Sequence, residues 1–210
     1  MKIEVQHVTK YIRKSMVLQD ITLHMESGKI YGLQGPNGSG KTMLMRLLCG
    51  LILPTEGTVC IDDKYLGQDI SFPDSVGILI ENPAFLNDYT GLENLQMLAS
   101  INKKASLEQL KEVITEVGLD PEDTRKYKKY SLGMKQKLGI ACALMEEPEL
   151  LILDEPFNAL DSASIERTKK CIWEQKERGR LIILSCHSAE DLYEMSDEIF
   201  IIENGSLKTC

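Results

Sequence analysis

The chain has 210 residues and a formal net charge of −8, and 43% of its residues are hydrophobic and 27% charged. This mixture is typical of a folded globular domain and excludes intrinsic disorder and fibrous structure. No apolar run approaches the ~20 residues that a membrane-spanning helix needs, and the first residues lack the apolar core of a signal peptide, so we expect a cytoplasmic protein.

The acidic balance and the cysteine pattern exclude further classes of protein. Nucleic acids are bound by clustered Lys and Arg side chains, so an acidic chain with a pI near 5.0 is not expected to have a nucleic-acid partner. The six cysteines show no Cys-x-x-Cys pair and no spacing typical of zinc ligands. We therefore expect free, structural thiols at Cys49, Cys60, Cys142, Cys171, Cys186 and Cys210.

The first thirty residues predict antiparallel strands. Residues 3–8 and 21–25 alternate apolar and polar side chains, which is typical of strands with one solvated face. A Ser-Gly-Lys turn at 27–29 then leads into an apolar run at 30–34, the first strand expected to be buried on both faces.

A glycine-rich loop follows that strand. Residues 35–42 match the pattern G-x-x-x-x-G-K-[ST], and a helical pattern continues after them. Glycines let backbone N–H groups converge on an anion, and a helix N-terminus favours phosphate. The strand before the loop and the helix after it disfavour a chance glycine-rich turn. A dinucleotide-binding loop has a different glycine spacing and would leave the Lys-Thr pair unexplained. The predicted nucleotide-binding residues are Gly35, Pro36, Asn37, Gly38, Ser39, Gly40, Lys41 and Thr42, with Lys41 reaching the β- and γ-phosphates and the Thr42 hydroxyl binding Mg²⁺.

The middle of the chain predicts helices rather than strands. Ser106 and Gln109 have the spacing of a capping box, and an apolar stripe follows. That stripe comprises Leu107, Leu110, Val113, Ile114 and Val117. We predict one domain over residues 1–210, with an inserted helical subdomain at approximately 83–135.

A second apolar strand, at 150–154, ends in two carboxylates. Ligands bind at the carboxyl ends of parallel strands, so Asp154 and Glu155 are expected beside the glycine-rich loop. Asp154 would hold Mg²⁺ through water, and Glu155 would orient and deprotonate an attacking water. The alternative, a simple helix-capping pair, is disfavoured by the loop that precedes it.

The alternation of strands and helices predicts an α/β fold. The expected P-loop NTPase core has a mainly parallel sheet, an N-terminal antiparallel β subdomain and the inserted helical lobe. Its buried strands are predicted at 30–34, 76–80, 150–154, 181–185 and 198–202.

These motifs, with further segments in the same order, resemble the ATP-binding-cassette (ABC) ATPases over almost the whole chain. The resemblance implies that Tyr11 stacks on adenine, that Asp161 belongs to the family's D-loop, and that His187 senses the γ-phosphate as a catalytic partner of Glu155. The segment 130–136 stands at the family's signature position. Its residues Ser131, Leu132, Gly133 and Met134 would face the ATP of an opposing subunit.

Two departures from the family pattern are visible. The signature usually reads Leu-Ser-Gly-Gly-Gln, whereas this chain keeps only Ser131 and Gly133 of the residues that face phosphate. The family also places Gln after the strand at 76–80, whereas this chain has Glu81, which we expect to offer an oxygen to Mg²⁺. Both segments resemble those of bacitracin- and lantibiotic-resistance exporters.

The resemblance implies an ATP-hydrolysing subunit of a bacterial exporter of antimicrobial peptide or drug-like cargo. Its cofactors would be ATP and Mg²⁺, and its partners a second cassette when ATP is bound and a separate transmembrane permease at the inner face of the cell membrane. Phe85, Leu86 and Tyr89 would contact that permease. The alternatives are a soluble ABC-type ATPase not coupled to transport, and an ATP-gated switch that hardly hydrolyses, against which Glu155 and His187 speak.

Overall fold

The computed structural model describes residues 1–208, so Cys210 lies outside the described residues. These residues form ten strands and six α-helices. The strands are β1 (Lys2–Ile12), β2 (Ser15–Glu26), β3 (Ile30–Gln34), β4 (Glu56–Ile61), β5 (Lys64–Tyr65), β6 (Val76–Leu79), β7 (Leu150–Asp154), β8 (Leu181–Ser185), β9 (Glu198–Glu203) and β10 (Ser206–Leu207). The helices are α1 (Lys41–Leu48), α2 (Gly91–Asn102), α3 (Leu107–Glu116), α4 (Leu132–Leu144), α5 (Ser162–Glu177) and α6 (Ala189–Met195).

The smaller sheet is antiparallel and has the order β2-β1-β4-β5. Ile3 pairs with Met25 on one side and with Ile61 on the other, and all three side chains are buried. The predicted antiparallel strands are therefore confirmed. β4 and β5 were not among the predicted strands, because Glu56 and Gly57 open β4 without an apolar pattern.

The larger sheet has the order β10-β9-β3-β8-β7-β6, and all its pairs except β9 with β10 are parallel. Every residue of β7 and β8 is buried, as expected of strands covered on both faces. The predicted parallel core is confirmed. Because β8 lies between β3 and β7, the loops that follow these three strands meet at one edge of the sheet.

Helices fill the interval between β6 and β7. Thr90 and Ser106 both form capping boxes, at the starts of α2 and α3 respectively. Four of the five residues of the predicted α3 stripe are buried, but Leu107 is exposed, since it stands in the first turn beyond the core. α4 contains residue 135, the expected end of the lobe, and continues to Leu144.

The cysteine thiols of the described residues are unpaired. The five cysteines among residues 1–208 are free, and burial raises the pKa of Cys142 and of Cys171 to about 11. None of the described helices is long and apolar enough to cross a membrane.

Candidate functional site

The glycine-rich loop connects β3 to α1 and curls back over itself. Gly40 adopts φ 115° at the start of α1, a backbone conformation that favours glycine, and no side chain caps the first turn of that helix. The Lys41 ammonium is nearly buried and donates to the carbonyl oxygens of Gly35 at 2.7 Å and Pro36 at 3.1 Å. The loop therefore offers uncapped N–H groups and a cation at one point, which suits a phosphate.

Asp154 lies at the end of β7, directly beside that loop. The Thr42 hydroxyl donates to Asp154 Oδ2 at 2.7 Å, and the Ser185 hydroxyl donates to Asp154 Oδ1 at 2.5 Å. Both protein oxygens are of the kind that Mg²⁺ prefers, so the donor set fits this ion. In residues 1–208, no group of three His, Cys, Asp or Glu residues has metal-binding geometry.

Glu155 is held by two side chains. His187 Nε2 lies 2.9 Å from Glu155 Oε2, and Asn158 Nδ2 donates to the same oxygen at 2.5 Å. Glu155 has φ 52°, and its N–H donates to Ser185, which turns the chain sharply out of β7. The structure therefore brings Glu155 and His187 together and places Asn158 against the same carboxylate.

One cavity of about 590 Å³ contains most of these groups. It is lined by Met16, Val17, Asn37, Gly38, Gly40, Lys41, Thr42, Met43, Glu155, His187, Asn204 and Gly205. Tyr11 does not line it: this side chain lies at the end of β1, 42% exposed, opposite Met16 in the strand register. Met16 and Val17 were missed in the sequence, because apolar residues on an edge strand carry no pattern of their own.

Glu81, the predicted third ligand of Mg²⁺, forms an ion pair with Arg46. Its carboxylate lies 2.8 Å from Arg46 NH2 on α1, and its backbone has φ 60°. A second cavity of about 300 Å³ contains Glu81 together with Thr42, Asp154 and Glu155. The predicted metal ligand is thus near the other two, but in this conformation its charge is balanced by Arg46.

The signature segment lies apart from the loop. Ser131 is the N-cap of α4 and its hydroxyl accepts from Met134 N at 3.2 Å, while Leu132 is 66% exposed. None of the described residues lining either cavity is Ser131, Leu132, Gly133 or Met134. The start of α4 therefore lines neither cavity of its own chain.

Two contacts join α4, the helix that begins in the signature segment, to the turn after β7. Gln136, buried on α4, donates to the carbonyl oxygens of Glu155 at 3.1 Å and Pro156 at 3.2 Å. A Cβ at Gly133 would lie 2.8 Å from the Ala159 carbonyl oxygen, so glycine allows close packing here. Sequence reasoning gave Gln136 no role of its own, since its partners are backbone atoms.

Asp161 has a local partner. Its carboxylate caps α5 by accepting from Ser164 N at 2.8 Å, and this backbone hydrogen bond holds the pKa of Asp161 below its usual value. In the structure Asp161 thus orders the start of α5, two residues beyond the turn that contains Asn158 and Ala159.

Comparison with known proteins gives consistent results. A family model described as ABC transporter matches residues 18–158. The chain is 45% identical over 207 residues to an uncharacterized ABC transporter ATP-binding protein, YybJ, of Bacillus subtilis, and the match covers 99% of this chain and 95% of that protein.

Two further relatives have names that state a transported compound. The chain is 40% identical to the bacitracin transport ATP-binding protein BcrA of Enterococcus faecalis, over 98% of this chain and 67% of that protein. It is 33% identical to the lantibiotic transport ATP-binding protein SrtF of Streptococcus pyogenes, over 98% of this chain and 88% of that protein. The predicted resemblance to this group is confirmed.

Solved structures share the fold. An ATP-binding subunit of an ABC transporter superposes with a TM-score of 0.90 at 29% identity, over 100% of this chain and 89% of that chain. The dimeric structure of a bacterial ABC transporter cassette superposes with a TM-score of 0.88 at 24% identity, over 99% of this chain and 97% of that chain.

Proposed function

Since this chain belongs to the ABC transporter family and is an ATP-binding subunit, we propose that it hydrolyses ATP to power export of an antimicrobial peptide or similar compound. The cargo class is taken from two relatives whose names state bacitracin and lantibiotic transport. The observation that carries the hydrolytic function is the single cavity in which Lys41 and Thr42 face Glu155 and His187.

Nucleotide binding begins at the loop. On arrival of ATP, the Lys41 ammonium exchanges the carbonyl oxygens of Gly35 and Pro36 for the β- and γ-phosphate oxygens, while loop N–H groups bind the remaining charge. The adenine would lie against Met16 and Val17, which line the cavity. Tyr11, which pairs with Met16 in the strand register, would stack on it from β1. Pro36 and Ser39 shape the loop, since the Ser39 N–H donates to the Pro36 carbonyl oxygen at 3.1 Å.

Thr42 and Asp154 would hold Mg²⁺, with Glu81 as a further oxygen once it parts from Arg46. When bound there, the ion neutralises phosphate charge in the transition state. Asp154 keeps its orientation through Ser185, which donates to Oδ1 and leaves Oδ2 toward Thr42.

Hydrolysis requires a positioned water and a base. The oxygen of that water attacks the γ-phosphorus in line, and Glu155 accepts the proton that the water loses. The bond between the γ-phosphorus and the oxygen that bridges the β- and γ-phosphates breaks. Asn158 and His187 orient the carboxylate, and His187 can also donate a hydrogen bond to the γ-phosphate. Little covalent chemistry is needed, since positioning and charge neutralisation supply most of the rate enhancement.

A second cassette would complete the site. Ser131 and Gly133 of one copy would face the γ-phosphate held by the loop of the other, because the start of α4 lines neither cavity of its own chain and Leu132 there is exposed. Leu132 and Met134 would pack around that contact, and Asp161 would lie beside it. The exposed side chains of Leu86 and Tyr89, beside the half-buried Phe85, would dock a separate permease at the inner membrane face.

Isothermal titration tests the nucleotide site. Lys41→Ala should weaken ATP binding by roughly 100-fold, since a charge-assisted contact of about 3 kcal/mol is lost. Lys104→Ala, which removes an exposed lysine outside the cavity, should bind ATP like the parent. Equal affinity in Lys41→Ala and the parent would contradict the proposal.

A further inference from the structure

A nearly buried lysine joins α5 to α6. Lys169 on α5 is only 4% exposed, and its ammonium lies 2.8 Å from Asp191 Oδ1 and 2.5 Å from Glu194 Oε2, both on α6. Glu166, one turn earlier on α5, lies 3.5 Å away. Three carboxylates thus surround one cation, and none of them takes part in the nucleotide site described above.

The charges of this cluster depend on one another. Burial alone would lower the pKa of Lys169, but the hydrogen bonds to Asp191 and Glu194 outweigh burial and raise it. Lys169 in turn lowers the pKa of Asp191. Removal of the ammonium would leave the α6 carboxylates without the cation that holds them against α5, so the two helices would lose their charged contact.

The cluster leads directly to His187. Asp191 binds Lys169 through its side chain, and its N–H donates to the Ser188 hydroxyl at 3.1 Å, which caps α6. His187 immediately precedes Ser188, and its Nε2 lies 2.9 Å from Glu155 Oε2. A helix as short as α6 is not stable alone, so its place depends on tertiary contacts.

We propose that Lys169 is a positioning residue, which fixes the start of α6 on α5 and thereby holds His187 against Glu155. This inference rests on the proposed roles of His187 and Glu155 in hydrolysis. Since Asp161 caps the start of α5, the same helix that leaves the D-loop also sets the position of the histidine.

The chain contains a matched control. Lys176, also on α5, lies 2.6 Å from Asp197, which follows α6 and accepts from Ile30 N at 2.8 Å. This pair ties the far end of α6 to the sheet and has no contact with the Ser188 cap. Lys176→Met therefore removes a charged contact between α5 and the residues that follow α6, while the contact of Lys169 with Asp191 and the Ser188 cap stay in place.

The experiment combines spectroscopy of the nucleotide-free protein with kinetics. The chain has three histidines, so the imidazole NMR signal of His187 can be assigned with His187→Gln, and His7 and His24 serve as internal references. In Lys169→Met the His187 signal should move most of the way to its position in Glu155→Gln, while Lys176→Met leaves it unchanged. The kcat for ATP should fall by about tenfold with unchanged KM, a part of the ~10²-fold that a 1 Å misplacement can cost.

Charge rescue and a milder variant keep the test decisive. Lys169→Arg should restore both the signal and kcat to within about threefold of the parent, because it keeps the cation. If Lys169→Met does not fold, Asp191→Asn should show the same changes at smaller amplitude, since Glu194 still binds Lys169.

The outcomes separate the two proposals. An unmoved His187 signal in folded Lys169→Met overturns the positioning role, whatever the rate. Equal changes in Lys169→Met and Lys176→Met also overturn it. A moved signal with unchanged kcat supports the positioning of His187 and contradicts the proposed role of His187 in hydrolysis.

Discussion

The two polar regions of this molecule differ in how complete they are. At the edge of the larger sheet, Thr42, Asp154, Glu155 and His187 all have side-chain partners within the chain. At the start of α4, Ser131 only caps its own helix, and Leu132 beside it is 66% exposed. The first region is organised before a ligand arrives, whereas the second is a helix N-terminus that faces solvent.

This difference assigns different tasks to the two regions. Organised side chains beside the phosphate loop suit catalysis, which needs donors and acceptors in fixed positions. An exposed helix N-terminus suits recognition of a negative charge brought by another molecule. Gln136 connects the two, because it lies on α4 and donates to the Glu155 carbonyl oxygen.

The largest effect should come from the organised region. Glu155→Gln should reduce the rate of ATP hydrolysis by ~10²- to 10⁴-fold, the usual contribution of a general base. ATP binding should be kept, because Lys41 and the loop N–H groups are unchanged. Steady-state phosphate release and ATP titration of the same preparation measure both quantities.

Glu108→Gln is the control for this variant. Glu108 is an exposed glutamate in the first turn of α3, and its replacement should leave the rate unchanged. If Glu155→Gln hydrolyses ATP at a rate within about threefold of the parent, Glu155 is not the general base, since a base contributes at least ~10²-fold.

The exposed region can be examined with two serines that each cap a helix through the same side-chain hydrogen bond. Ser131 caps α4 and Ser106 caps α3, each by accepting from the N–H three residues later at 3.2 Å. Replacement of either by Ala should cost about 1 kcal/mol of stability. Only Ser131→Ala should also slow hydrolysis, by roughly tenfold or more, because a hydrogen bond to a charged group is worth about 1.5–3 kcal/mol.

Urea denaturation and ATPase rates at high protein concentration measure the two effects. Equal ATPase rates in Ser131→Ala and Ser106→Ala would mean that Ser131 is a structural cap and nothing more.

The smallest effect concerns Glu81, which lies between the loop and Arg46. Arg46→Gln should release Glu81 and lower the Mg²⁺ concentration needed for half-maximal ATPase by about fivefold at most, because a partly exposed ion pair is worth up to about 1 kcal/mol. Glu81→Gln should keep hydrolysis with a changed Mg²⁺ dependence, while Glu81→Ala, which offers no oxygen, should be slower.

Mg²⁺ titrations of the three variants decide whether Glu81 reaches the metal. If Glu81→Ala matches the parent at every Mg²⁺ concentration, its role is limited to the ion pair with Arg46.

The sequence predicts the long buried strands of this fold better than its short edge strands. The strand at 150–154 is continuous in Leu and Ile because both its faces are covered, and this pattern is visible without a structure. β10 has only two residues, too few to show any period, yet Gly205 beside it lines the main cavity. Short edge segments are placed by their neighbours and not by their own composition.

The same limit applies to the candidate site. The glycine-rich loop, Asp154 and Glu155 can be predicted, since their spacing has a chemical reason. The pairing of Glu81 with Arg46 depends on a left-handed backbone at residue 81, and the role of Asn158 depends on the sharp turn after β7. Such contacts join residues distant in sequence or turns of unusual conformation, so no local pattern records them.

In the proposed dimer, the phosphate loop of one copy and the start of α4 of another form one ATP site. Light scattering of Glu155→Gln at high protein concentration tests this arrangement most directly. We expect a monomer without nucleotide and twice that mass with saturating ATP and Mg²⁺. Adding Ser131→Arg should abolish the ATP-dependent dimer, because the new side chain blocks the α4 N-terminus, whereas adding Ser106→Arg should not. A protein that remains monomeric with ATP bound, or a dimer that persists in the Ser131→Arg variant, would contradict this division of the site.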